Sequence, residues 1–352
     1  MHAAFSLDRL GWSACYSQQL SLEDLSAGYP ARVSSVQRSL VTVLCERGSL
    51  DVVVPPRLAT TETAIAVGDW LLIEHEAPRV LRILERRSLI SRMAAGVEQR
   101  VQAIAANLDT LFVVTSCNDD FNLSRLERYF TVARHAQVEP VIVLTKADLC
   151  ADTDSFVAQT RSIARDIAAL ALNATAHTET EALAPWLGGG QTVAFVGSSG
   201  VGKSTLVNTL LARDAQETSS IREHDAKGRH TTTSRQMFAL PSGAWVIDTP
   251  GMRELKLGSM EDAVSEVFDD VETLTRDCRF RDCHHRDDAG CALQAAVESG
   301  RLDARRLESY LKLLREAERA GQSVRERRAI ERRWGRMHRH ITSKRDRGTS
   351  RE

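Results

Sequence analysis

The feature that most constrains this chain is the string Gly197-Ser198-Ser199-Gly200-Val201-Gly202-Lys203-Ser204, set between the apolar run TVAFV and the amphipathic run STLVNTLLAR. Such a string binds phosphate where a strand enters it and a helix leaves it, and both contexts are written here. Consecutive backbone N–H groups can then wrap an anion at the helix N-terminus, and glycine lets the backbone approach closely. Lys203 is expected to reach the β and γ phosphates, Ser204 to ligate Mg²⁺, and Thr205 to extend the cradle. The competing reading, a glycine-rich structural turn, gives the lysine nothing to do. The runs LFVVTS, VIVLT, TVAFVG, QMFAL and AWVID, interleaved with helical stretches, predict a mostly parallel sheet covered by helices, an α/β unit built around this loop.

Other motifs complete the nucleotide apparatus, in an unusual order. Asp248-Thr249-Pro250-Gly251 ends the run AWVID, where Asp248 can hold the Mg²⁺ shell and the Gly251 N–H can sense a γ-phosphate. Gly228-Arg229-His230-Thr231-Thr232-Thr233 is a polar stretch in which Thr232 is the expected Mg²⁺ ligand of the triphosphate state. Base recognition is expected after these elements but is written before the P-loop. Thr145-Lys146-Ala147-Asp148 ends VIVLT and resembles the NKxD element, in which the carboxylate, here Asp148, accepts the guanine N1 and N2 protons and the lysine stem, here Lys146, covers the base. Thr175-Ala176-His177 follows the apolar stretch ALALNA and resembles the SAK-type loop that supports guanine O6, so Thr175 and Ala176 are the expected contacts. Thr145 stands where an asparagine usually braces this loop against the P-loop, which puts affinity more than base identity in question. The order is circularly permuted, so the chain leaves DTPG for the C-terminal region, which is thereby wired to any switch movement. Met252, after DTPG, carries a thioether, which cannot orient an attacking water as a glutamine can.

Cysteine placement points to a metal. Seven cysteines are an odd number, and Cys278, Cys283 and Cys291 crowd together with His285 while the others are scattered. Three thiolates and an imidazole this close suit closed, tetrahedral, structural zinc; His284 is the substitute ligand if His285 faces away. The 352 residues carry a formal net charge of −1, but Arg325, Arg327, Arg328, Arg332, Arg333, Arg336 and Arg339 make a local basic tail that suits nucleic acid. No apolar run is long enough for a membrane span and no signal peptide is read at the start, so a cytoplasmic protein without a membrane partner is expected. The length predicts several domains. The reading is an N-terminal extension over 1–31, a β-barrel of OB type over 32–95 from its regular short strands, the permuted α/β unit over 96–257, a mainly helical zinc domain over 258–322 and the basic tail over 323–352. The runs SVQRSLVTVLCE, SLDVVVP, TAIAVGDWLLIEH and RVLRILE are read as the barrel strands.

Taken together, TKAD, GSSGVGKS, GRHTTT, DTPG and the spacing Cys278-x4-Cys283-x-His285-x5-Cys291 resemble the ribosome small-subunit-dependent GTPase A (RsgA, also YjeQ) family, as do VGDW (67–70), QAIAANLDTLFVV (102–114) and FNLSRLERYF (121–130). The resemblance implies an OB-fold, a permuted GTPase domain using GTP, GDP and Mg²⁺, and a zinc domain. It also implies a role in late maturation of the small ribosomal subunit, whose rRNA is the partner and whose binding stimulates hydrolysis. It nominates His230 as the residue that positions water, and a monomer is expected. Two other classes remain: an ATP-using P-loop enzyme, which leaves TKAD without a role, and a nucleotide-gated RNA-binding scaffold.

Overall fold

A computed structural model of the protein describes residues 5–37, 40–58, 64–93, 101–211, 235–248, 260–286 and 288–321. Short helices α1 (Ala14–Ser17) and α2 (Leu22–Ala27) lead into the strands β1 (Gly28–Val36), β2 (Val41–Cys45), β3 (Gly48–Val52), β4 (Trp70–Glu74) and β5 (Val80–Ile83). β1 pairs antiparallel with both β2 and β4, β2 with β3, and β4 with β5. A parallel bridge from Val53 to Arg79 brings the β3 end to β5 and rounds the sheet into a small barrel. Its interior is filled by Ala31, Val33, Val43, Cys45, Leu71, Ile73 and Val80. The run SVQRSLVTVLCE, read as a single strand, divides in two. Ser35 and Val36 finish β1, the Gln37 N–H donates to the Leu40 carbonyl at 2.8 Å, and β2 begins at Val41.

The hairpin β6 (Leu89–Met93) and β7 (Val101–Ala106) leads into the α/β unit. There β8 (Thr110–Ser116), α3 (Leu123–His135), β9 (Glu139–Thr145), α4 (Thr153–Ile163), β10 (Ala168–Ala171), α5 (His177–Thr180), β11 (Thr192–Val196) and α6 (Lys203–Leu211) alternate. The strands β12 (Arg235–Ala239) and β13 (Trp245–Asp248) follow, then the helices α7 (Glu261–Val267), α8 (Asp269–Thr275), α9 (Ala292–Glu298) and α10 (Ala304–Gly321). Strands β10, β9, β8, β11 and β13 lie side by side and parallel. β8 is buried along its whole length, which a parallel strand covered on both faces requires.

The barrel and the parallel sheet are continuous. β12 pairs antiparallel with β13 on one side and with β1 on the other, through Ser35 with Gln236 and Val36 with Arg235. The far edge of the α/β sheet is therefore covered by the barrel rather than left as an open template for association. Nothing in the hydrophobic pattern announced this pairing.

The N-terminal residues fill the angle between the two units. The Trp245 indole N–H donates to the Arg9 carbonyl at 2.6 Å and its ring meets Phe5 edge-on at 5.9 Å. Arg32 of β1, almost wholly buried, donates to backbone carbonyls of three segments: Leu10, Gly68 (3.4 Å) and Asn107 (3.2 Å). Burial lowers its pKa to about 10, so the guanidinium stays charged at neutral pH and those carbonyls compensate its lost hydration.

Candidate nucleotide site and metal centre

Because β8, β9, β10, β11 and β13 run parallel, their C-terminal ends share one edge, the place where open α/β sheets bind ligands. The P-loop leaves β11 there. Gly197 has φ +145°, and a Cβ on it would sit 2.1 Å from the Val114 carbonyl oxygen, so only glycine fits. Lys203 opens α6 and folds its ammonium back onto the loop, donating to the carbonyls of Gly197 (2.8 Å) and Ser198. Ser199, Gly200, Ser204 and Thr205 are exposed, so an anion can reach the loop and the helix start.

The base-recognition candidates arrive from the neighbouring strands. Thr145, the last residue of β9, is completely buried, and its hydroxyl reaches the Val201 carbonyl in the P-loop at 2.5 Å, with the Thr115 carbonyl at 3.1 Å. A hydroxyl has one proton to donate, and the shorter contact takes it. The threonine in the asparagine position thus braces the loop. Lys146 adopts the left-handed conformation (φ 58°), and Asp148 follows it exposed on a single helical turn. The Thr175-Ala176 segment is joined to the same site by the Thr209 hydroxyl of α6, which donates to the Ala174 carbonyl at 2.7 Å. Asp248 ends β13, exposed at the same edge. His230, Thr232, Gly251 and Met252 lie outside the described residues.

Asn173 lies outside the motifs that the sequence displays. Its Oδ1 accepts both the Thr175 N–H (2.9 Å) and the Thr175 hydroxyl (2.7 Å), while its own N–H donates to Glu179 at 2.6 Å. The spacing Asn-x-Thr is a turn signal that could have found it.

The ligand atoms of Cys278, Cys283, His285 and Cys291 all lie within 4.8 Å of one another. His285 Nδ1 stands 3.5 Å from Cys278 Sγ and 3.7 Å from Cys291 Sγ. A tetrahedral zinc with its usual bond lengths separates nitrogen from sulfur by about 3.6 Å, so the donor set fits that ion. His285 has φ 58°, and its pKa is lowered by burial, which favours the neutral, ligating imidazole. His284 points away, its side chain exposed and 3.9 Å from Asp288.

Residues 83–258 match the sequence pattern described as RsgA GTPase. A Vibrio vulnificus (strain CMCP6) protein, "Small ribosomal subunit biogenesis GTPase RsgA 2", is 46% identical over 339 residues, which is 96% of each chain. The chain belongs to the RsgA GTPase family. A Xylella fastidiosa (strain 9a5c) protein, "Small ribosomal subunit biogenesis GTPase RsgA", is 50% identical over 248 residues, 70% of this chain and 72% of its own. The fold of this RsgA-family chain is similar to the crystal structure of YjeQ from Thermotoga maritima, with TM-score 0.60, 24% identity, and 84% of this chain and 99% of that one covered. It is also similar to YloQ, described as a circularly permuted GTPase, with TM-score 0.56, 20% identity and coverage of 84% and 97%. As a member of the RsgA family the protein is a GTP hydrolase, which sets aside the ATP-using alternative. Among the described residues no helix is long and apolar enough to cross a membrane.

Proposed function

We propose that this GTPase binds the small ribosomal subunit and couples GTP hydrolysis to a late step of its maturation. The observation that carries the reading is similarity along 96% of both chains to a protein named as a small ribosomal subunit biogenesis GTPase. The nucleotide elements gathered at one sheet edge support it from within the chain. In this reading Gly197 to Thr205 cradle the phosphates, Lys203 neutralises the β–γ end, Asp148 and Lys146 select guanine, and Thr175-Ala176 support O6. Ser204, Thr232 and Asp248 hold Mg²⁺, which when bound offsets phosphate charge. Cys278, Cys283, His285 and Cys291 hold a structural zinc that ties the segment between α8 and α9 together. The barrel is of OB type and, with the arginine-rich tail, contacts rRNA. His230 positions water when the particle is bound, and the protein acts as a cytoplasmic monomer.

The deciding experiment measures GTP turnover alone and with purified small subunits, for the native protein and for His230→Ala. The reading expects slow turnover alone, strong stimulation by the particle, and loss of most of that stimulation in the variant with GTP and particle binding retained. Unstimulated turnover would remove the ribosomal assignment. Stimulation that survives His230→Ala would remove only the histidine.

A further inference from the structure

Two faces of α3 hold different parts of the molecule. On one, Arg125 donates to both carboxylate oxygens of Asp120 at 3.2 Å and reaches the Ser198 hydroxyl in the P-loop. On another, Glu127 is completely buried and receives Arg305 at 3.0 Å and Arg306 at 2.9 Å from α10. Residues two apart on a helix are separated by about 200° of rotation, so these contacts leave nearly opposite sides. The Arg125 N–H is also bonded to the capping Asn122 side chain at 2.9 Å, which fixes the first turn that carries the guanidinium.

Ser198 consequently meets two cations: Arg125 at its hydroxyl and Lys203 at its carbonyl. Beyond it, Ser199 and Gly200 face solvent, and a Cβ on Gly200 would meet nothing within 4 Å. That span is therefore set from its two ends, Val201 through Thr145 and Ser198 through Arg125 and Lys203. We propose that Arg125 is a positioning residue for GTP hydrolysis: aligned by Asp120, it fixes the Ser198 end of the P-loop over the β–γ phosphates. The inference rests on the reading of this site as a GTPase centre. Preorganised donors act on charge that develops in the transition state, so a loosened Ser198 end slows turnover more than it weakens ground-state binding.

The test compares steady-state GTP hydrolysis by the full-length native protein, Arg125→Ala, Ser198→Ala and the double variant, alongside GDP affinity and thermal unfolding. Arg125→Ala is expected to lower kcat about tenfold while KM and GDP affinity stay within about twofold. The double variant should be no slower than the slower single variant, because both remove one contact. Arg125→Lys should recover part of the rate, since its ammonium can reach the hydroxyl without aligning to Asp120 in the same way. Unchanged kcat in Arg125→Ala, multiplicative losses in the double variant, or GDP affinity falling in step with kcat would each overturn the proposal. Absence of GTP turnover in the native protein would instead sink the GTPase reading and this inference with it.

Discussion

The Thr145 hydroxyl lies 2.5 Å from the Val201 carbonyl, joining the end of β9 to the P-loop from a fully buried position. This bond lets one side chain hold the segment Thr145–Asp148 and the P-loop at a fixed separation. Thr145→Val keeps the shape but strands the carbonyl, which costs about 1–3 kcal/mol. With that cost borne by the nucleotide-bound state, GDP affinity should fall between about fivefold and 150-fold, while Thr145→Ser should stay near the native value. Fluorescent-GDP titration checks both, and native affinity in the valine variant would show that the brace is dispensable.

Asp148 is exposed at the site edge, where its carboxylate can accept two protons from guanine and none of the matching kind from adenine. Asp148→Asn should weaken GTP and raise relative affinity for xanthine nucleotides, because an amide can donate to the xanthine oxygen. Competition between GDP, ADP and XDP measures this. Equal displacement by GDP and ADP from the native protein would end the assignment of Asp148.

Protein purified without chelator should carry one zinc per chain, held by Cys278, Cys283, His285 and Cys291, whose ligand atoms lie within 4.8 Å of one another. Metal removal should speed amide exchange in α9 and the start of α10 while nucleotide binding persists. Cys291→Ser should reproduce the effect and His284→Ala should not, since His284 faces solvent. A metal-free native protein with full protection of α9 would contradict this.

Glu127 joins α3 to the helical region through Arg305 and Arg306, and Arg306 goes on to Asp270, with Nε at 2.7 Å. Removing the carboxylate leaves a largely buried Arg306 without one of its two acidic partners, and such losses cost about 3–5 kcal/mol. Glu127→Ala should therefore lower the urea midpoint and release α10 first in hydrogen exchange. Its uncoupling should be visible as faster proteolysis after residue 260 than in the native protein. A midpoint unchanged within error would mean that the helical region docks through its apolar contacts alone, such as those around Phe268 and Tyr310.

Some of this protein is written locally in its sequence. The P-loop needs a strand, a glycine-permitted turn and a helix in succession, and all three are adjacent in the chain, so Gly197 to Ser204 were readable without a structure. Cys278, Cys283, His285 and Cys291, whose ligand atoms the fold gathers, fall within fourteen positions, close enough for spacing alone to suggest the donor set. The choice of His285 over His284 needed the backbone: a left-handed φ at His285 goes with an inward Nδ1, while His284 is left in solvent. Thr145 looked like a weakened motif because its partner is distant in sequence, at Val201, and only the parallel pairing of β9 with β8 and of β8 with β11 brings the two together. The same holds for β1 against β12, Arg125 against Ser198 and Glu127 against Arg305. Periodicity records which side of an element is buried, but the neighbour on that side is chosen by sheet order and helix packing, which close loops of tens to hundreds of residues and leave no local mark on the residues they join.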